Sequence, residues 1–106
     1  MTESGVTRGV FAAALTPMTA DLAPDLTAMI SHFGWLLDRG CNGLGLLGTT
    51  GEANSFSVQE RLAIIDAVGE SNLPKDRLMI GTGTCAEPDT LQLTRATLAA
   101  GINTVL

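Results

Sequence analysis

The sequence has 106 residues, of which 45% are hydrophobic and 16% are charged, and its formal net charge is −5. This composition is typical of one globular domain, and an acidic chain without any cluster of Lys or Arg lacks the positive patch that nucleic acids and anionic membranes need. The start, MTESGVTRG, lacks the features of a secretory signal and no apolar run approaches the roughly 20 residues of a membrane-spanning helix, so we expect a cytoplasmic protein.

The first predicted elements are a strand and an amphipathic helix. Residues 10–15 form the apolar run VFAAAL, which stops at Thr16-Pro17, as strands do when both faces of a parallel sheet are buried. A helix is predicted from Asp25 to the C-terminal cap at Gly40. Its apolar residues recur at three- and four-residue steps: Leu26, Met29, Ile30, Phe33 and Leu37.

A second strand, residues 44–47, leads into the loop GLLGTTGEAN of residues 45–54. After this loop, Ser57 and Glu60 have the S-x-x-E spacing of a capping box, in which each side chain bonds a free backbone amide of the other residue. The capping box predicts a second helix. Its buried side should carry Leu62, Ile65 and Val68.

The third strand and helix repeat this pattern. A turn that contains Lys75 precedes the strand at residues 78–80, and the strand ends in Gly81-Thr82-Gly83. Pro88 suits the first turn of the third helix. We expect Leu91 and Leu98 to face inward on this helix.

Gly101 ends the third helix, and residues 102–106 begin a fourth strand, so the predicted order is β-α-β-α-β-α-β. Right-handed crossovers place such strands in one parallel sheet, either an open doubly wound sheet or part of a (β/α)8 TIM barrel. The periodicity does not choose between the two. Because the chain stops inside an apolar strand, we expect residues 1–106 to be the N-terminal part of one larger domain.

The glycine-threonine loop is the candidate site. It follows a strand at the carboxyl end of the sheet, where both architectures place their ligands. Glycines let the backbone approach a ligand, and Thr49 and Thr50 add hydroxyl groups, which suits a phosphate or a carboxylate. The loop has neither the G-x-x-x-x-G-K-[ST] phosphate-loop form nor the G-x-G-x-x-G dinucleotide form.

The segment GTTGE at residues 48–52 resembles the dihydrodipicolinate synthase and N-acetylneuraminate lyase family, together with Thr16-Pro17, Gly40 and Gly81-Thr82-Gly83. The resemblance implies a (β/α)8 barrel, in a homotetramer built as a dimer of dimers, of which this chain supplies about the first third. It also implies the chemistry of a class I aldolase. In that chemistry a lysine from a later strand forms a Schiff base with pyruvate or another 2-oxo acid, and neither a metal nor an organic cofactor takes part.

The resemblance also implies roles for the loop residues. Thr50 would bind the carboxylate of the 2-oxo acid, and Thr49 would belong to a proton relay of hydroxyl groups with two tyrosines. Gly48 and Gly51 would shape the turn. Glu52 would make structural hydrogen bonds, because a carboxylate beside the substrate carboxylate would repel it.

Several residues depart from the family pattern or fall outside the predicted site. The chain has no tyrosine, and its single lysine, Lys75, is predicted at the amino-terminal face as a solvated turn residue. The Schiff-base lysine and relay tyrosines would therefore follow Leu106, so residues 1–106 alone should be inactive. His32 is predicted to be a partly buried packing residue far from the loop. Cys41 and Cys85 lack a metal-ligand spacing and are predicted to be reduced, packed thiols.

Lysine-inhibited synthases of this family carry polar residues near the starts of the second and third helices. At the matching positions this chain has Val58, Arg61 and Cys85, which argues against lysine feedback and favours a sugar-acid or other 2-oxo-acid lyase. Two alternatives to a Schiff-base lyase or synthase stay open. One is a non-catalytic family barrel that binds a small anion or has a regulatory role, and the other is an unrelated open α/β domain that binds an anion at the same loop.

Overall fold

The computed structural model describes residues 8–106 of the chain. Strands and helices alternate along it, with a short 3-10 turn before α2 and another before β3. The elements are β1 (Phe11–Ala13), α1 (Leu26–Asp38), β2 (Gly43–Leu46), α2 (Val58–Glu70), β3 (Leu78–Ile80) and α3 (Glu87–Ala99). Within residues 8–106, no helix has both the length and the apolar character required to cross a membrane.

The strands form one parallel sheet in the order β1-β2-β3. Its register pairs Ala12 with Leu44, and Leu44 with Leu78. Because side chains alternate along a strand, these residues lie on one face of the sheet. That face is almost entirely buried and belongs to the same core cluster as the helices: Ala12, Ala14, Leu44, Leu46, Leu78 and Ile80.

The opposite face of the sheet is less covered. Ala13 is exposed, and Phe11, Gly45 and Met79 are half-buried. The three helices therefore pack on one side only, and α2 lies between α1 and α3. This is the one-sided arrangement of a barrel wall rather than the two-sided arrangement of a doubly wound sheet.

Local sequence signals explain where α1 and α2 begin. The Asp25 carboxylate accepts a hydrogen bond from the Ala28 amide at 3.1 Å and caps α1. The capping box of α2 is complete, with the Glu60 amide 3.1 Å from Ser57 Oγ and the Ser57 amide 2.9 Å from Glu60 Oε1. Both predicted helix starts are confirmed.

The buried face of α3 differs from the prediction. Leu91 and Leu98 are 45% and 53% exposed, whereas Leu93 and Thr97 are fully buried, so the predicted inward face is wrong. The buried residues Leu93 and Thr97 lie four positions apart on one face of α3, and Ile102, which follows the helix, is also buried. Leu91 and Leu98 lie seven residues apart on a neighbouring face of the same helix.

The fourth strand is present as a single bridge, in which Val105 pairs in parallel with Ile80. The Leu106 amide donates to the Ile80 carbonyl oxygen at 2.9 Å. This contact places the fourth chain segment beside β3, so the spatial order follows the chain order. A doubly wound sheet would reverse direction at this point, whereas a barrel continues around.

Candidate functional site

The threonine loop, residues 47–52, leaves the end of β2 through an unusual backbone conformation. Leu47 has φ of 55° and Glu52 has φ of 58°, both in the left-handed region that non-glycine residues rarely adopt. Such strain persists only where the surrounding structure enforces it, and it concentrates at functional sites. Within the loop, the Glu52 amide donates to the Thr49 carbonyl oxygen at 3.0 Å and the Ala53 amide to that of Gly48 at 3.2 Å.

The segment after β1 holds the threonine loop from one side. Thr16 Oγ1 donates to the Gly51 carbonyl oxygen at 2.8 Å. A Cβ on Gly51 would lie 3.0 Å from the Leu47 nitrogen and 3.1 Å from the Ala14 oxygen, so a side chain there would require the neighbouring backbone to shift by a few tenths of an ångström. Gly48 is different, because the nearest atom to its would-be Cβ is 3.9 Å away. The predicted turn-shaping role therefore fits Gly51 better than Gly48.

The segment after β3 holds the loop from the other side. The Gly81 amide donates to the Leu46 carbonyl oxygen at 2.8 Å. A Cβ on Gly81 would overlap the carbonyl oxygen of Leu47, so this position requires glycine. Thr16 and Gly81, which were predicted to follow the first and third strands, thus both contact the threonine loop from opposite sides of β2.

The two threonines of the loop are exposed at this edge of the sheet. Neither the Thr49 nor the Thr50 hydroxyl takes part in a hydrogen bond among residues 8–106, so both can bond a ligand. Glu52 is also exposed, and its carboxylate accepts one long hydrogen bond of 3.5 Å from Ser55 Oγ. Within residues 8–106, the loop therefore offers two hydroxyl groups without a bonding partner, and the Glu52 carboxylate is bonded weakly to the 3-10 turn that follows the loop.

Arg61 on α2 is the residue that sequence reasoning missed. It is 3% exposed, although its side chain carries a charge. Its Nη1 donates to the Gly83 carbonyl oxygen at 3.0 Å and its Nη2 to the Gly81 carbonyl oxygen at 2.8 Å, while Nε has no partner in the described part of the chain. Burial lowers the pKa of the guanidinium below its ordinary value, because desolvation penalises the charged form. The available signal was its spacing, since Arg61, Ile65 and Val68 share the buried side of α2.

Arg61 lines a cavity of about 350 Å³ together with part of the threonine loop, namely Leu47, Gly48, Thr49 and Glu52. Thr50 is exposed and does not line this cavity. Thr49 and Glu52 contribute polar groups to its wall, and Leu106 closes part of it from the fourth chain segment. Hydroxyl, carboxylate and guanidinium groups therefore converge at the carboxyl end of β2 and β3. This is the part of an α/β fold where ligands bind.

Lys75 lies at the opposite end of β3, in the 3-10 turn that immediately precedes this strand. Its Nζ donates to the carbonyl oxygens of Ser71 and Leu73 at 2.8 and 2.9 Å. The predicted position at the amino-terminal face is confirmed. The prediction of a merely solvated residue is wrong, because Lys75 is half-buried and caps carbonyls that follow α2.

His32 is half-buried, as predicted, and its ring stacks on Trp35 with 6.3 Å between the ring centroids. It also lines a cavity of about 530 Å³ together with Thr16 and Glu52, so it lies closer to the threonine loop than the sequence indicated. Both cysteines are free thiols. Cys41 packs against the core, whereas Cys85 is exposed, so the prediction of a packed thiol is wrong for Cys85.

Comparison with known proteins supports the family resemblance that the sequence indicates. The model of the Dihydrodipicolinate synthetase family matches residues 6–106. A DapA-like lyase from Chloroflexus aurantiacus is 36% identical over 100 residues, which are 93% of this chain and 33% of that protein. The chain thus spans about a third of the length of the curated relatives it matches.

Several solved structures have a similar fold. N-acetylneuraminate lyase from Proteus mirabilis has a TM-score of 0.81 and 31% identity, over 94% of this chain and 34% of its own. A prophage protein of the dihydrodipicolinic acid synthase family from E. coli K12, solved in complex with pyruvate, has a TM-score of 0.77 and 30% identity. The match covers 92% of this chain and 33% of that protein. The fold is therefore the N-terminal part of a TIM barrel, as predicted.

Proposed function

The chain belongs to the dihydrodipicolinate synthetase family, and we propose that it supplies the carboxylate-binding loop of a lyase or synthase that acts on pyruvate or a related 2-oxo acid through a lysine Schiff base. The observation that carries this proposal is the pair of free hydroxyls on Thr49 and Thr50, held on a strained loop at the carboxyl end of β2. The pyruvate complex of the E. coli relative supports a 2-oxo acid as the ligand.

Thr50 binds the substrate carboxylate in this proposal. A hydroxyl can donate to a carboxylate without bringing a cation to the site, so it leaves the lysine amine as the group that reacts with the carbonyl. The hydrogen bonds that enforce the left-handed conformations of Leu47 and Glu52 fix the loop before substrate arrives, which lowers the ordering cost of binding.

Thr49 passes a proton along a chain of hydroxyl groups. When the lysine amine attacks the carbonyl carbon of the 2-oxo acid, the carbonyl oxygen leaves as water and an imine forms. Loss of a proton from the neighbouring carbon then gives an enamine, which forms the new carbon–carbon bond, or the reverse sequence breaks one. Each step moves protons at the carbonyl oxygen or the neighbouring carbon, and a positioned hydroxyl can relay them without a charged base.

The Schiff-base lysine is supplied by another part of the protein. Lys75, the single lysine of the chain, lies at the amino end of β3, and its amine is bonded to two carbonyl oxygens. The relay tyrosines are likewise supplied from elsewhere, since the chain has none. We further propose that the whole protein is cytoplasmic and assembles as a homotetramer. Sedimentation analysis of the full-length protein would test the tetramer.

Borohydride reduction of the full-length protein in the presence of pyruvate tests the proposed chemistry. Reduction should trap the imine as a stable adduct on one lysine other than Lys75, and peptide mapping identifies that lysine. A protein that binds pyruvate but yields no adduct would instead be a non-catalytic barrel that binds a small anion. An adduct on Lys75 would contradict the mechanism.

A further inference from the structure

The charge of Arg61 is buried, which is unfavourable unless its donors are satisfied. Both terminal nitrogens donate to backbone carbonyl oxygens, whereas Nε has no partner among the described residues. The two acceptors, Gly81 and Gly83, are two residues apart in the segment that follows β3. One planar guanidinium therefore bridges both ends of that short segment.

The bridged segment is the wall against which the threonine loop rests. The Gly81 amide bonds to the Leu46 carbonyl oxygen, and the Gly81 Cα faces the Leu47 carbonyl with no room for a side chain. Leu47 holds its left-handed conformation at this contact, two residues before Thr49. Thus a chain of contacts runs from Arg61 through Gly81 to the threonine loop.

We propose that Arg61 is a positioning residue, which holds the carbonyl groups of Gly81 and Gly83 so that Leu47 keeps its strained conformation and Thr49 and Thr50 meet the 2-oxo acid correctly. This inference rests on the proposed function. It assigns Arg61 an action through the backbone, although Arg61 and Thr49 line the same cavity. Both terminal nitrogens of Arg61 already donate to backbone carbonyl oxygens, so this role depends on the forked shape of the guanidinium and not on a direct bond to the ligand.

The shape dependence defines the test. Arg61→Lys keeps the positive charge, but an ammonium on a flexible stem does not reproduce the planar fork that spans the two carbonyl oxygens. Arg95→Lys is the matched control, because Arg95 is exposed on α3. Both are made in the full-length protein, and kcat/KM for the 2-oxo acid is expressed per folded protein, measured from the amplitude of cooperative unfolding, so that any unfolded fraction does not enter.

Arg61→Lys should lower kcat/KM by about tenfold or more, since small misplacements of catalytic groups have effects of this size, while Arg95→Lys should leave it unchanged. If Arg61 acts through the threonines, adding Arg61→Lys to Thr50→Val should cost less than the product of the two single effects. Multiplicative losses would show that Arg61 acts independently of the threonine loop. Wild-type kcat/KM in Arg61→Lys would show that charge alone suffices. Either result would overturn the proposal.

If Arg61→Lys does not fold, Arg61→Gln takes its place, because the glutamine amide still donates to one carbonyl oxygen. Failure of both variants to fold would show that Arg61 serves folding rather than positioning, which also contradicts the proposal. Failure of the proposed function is seen separately, as the absence of any trapped pyruvate adduct in the wild-type protein.

Discussion

Replacing Gly81 with alanine tests the packing that fixes the threonine loop. The added methyl group would overlap the Leu47 carbonyl oxygen, so either the end of β3 or the loop has to move. Overpacking of this kind costs about 1–3 kcal/mol of folding free energy. Because the loop carries the hydroxyls that we propose act on the substrate, a displacement of about 1 Å should also reduce kcat/KM by roughly 100-fold.

Gly34→Ala is the matched control for this substitution. A Cβ on Gly34, which lies inside α1, meets nothing within 4 Å. We expect this variant to keep its activity and to change stability by less than about 1 kcal/mol.

Two assays on the full-length protein separate the effects. Melting temperatures at equal protein concentration should fall by several degrees for Gly81→Ala and should not fall for Gly34→Ala, at roughly 2–4 °C per kcal/mol. Steady-state kinetics with the 2-oxo acid should show the loss of kcat/KM in Gly81→Ala alone. Wild-type melting and kinetics in Gly81→Ala would refute the tight contact between β3 and the loop.

Three further outcomes are expected. Thr49→Val should lower kcat more than it raises KM if its hydroxyl passes protons as proposed, and wild-type kcat would remove Thr49 from the relay. Ser57→Ala removes the α2 cap and should lower the free energy of unfolding of the full-length protein by about 1 kcal/mol in denaturant titration. The control Ser55→Ala, at an exposed position, should change it by nearly zero, and equal effects would contradict the capping role. Residues 1–106 expressed alone should bind hydrophobic dye and form no pyruvate adduct, because Val10 and Leu15 are 66% and 60% exposed; a dye-negative monomer that unfolds cooperatively would contradict this.

The elements that the sequence predicts well are those with strong local signals. The Asp25 cap and the Ser57-Glu60 capping box depend on contacts between residues three positions apart, so they can be recognised without tertiary structure. The loop at residues 48–52 was found because glycines and threonines follow a strand directly. The roles of Thr49 and Thr50 came from the family resemblance and stay predictions.

The features that the sequence did not reveal depend on tertiary contacts. Leucines occur on more than one side of α3, so the choice between Leu91 and Leu93 as a core residue depends on how the helix rotates against α2. Arginine is rarely fully buried, and burial of Arg61 depends on carbonyl oxygens 20 and 22 residues away. The strain at Leu47 likewise depends on the approach of Gly81 from the next strand.

The affinity of Thr50 variants for pyruvate tests the central claim most directly. In the full-length protein, Thr50→Val leaves the substrate carboxylate without its donor, which should weaken binding by about 1–3 kcal/mol, or roughly 5- to 150-fold. Thr50→Ser keeps the hydroxyl and should bind within a few-fold of the wild type, as should the control Thr27→Val at an exposed position on α1. Titration calorimetry with pyruvate should therefore separate Thr50→Val from the other two variants, and an unchanged dissociation constant for Thr50→Val would contradict the assignment of this loop as the carboxylate site.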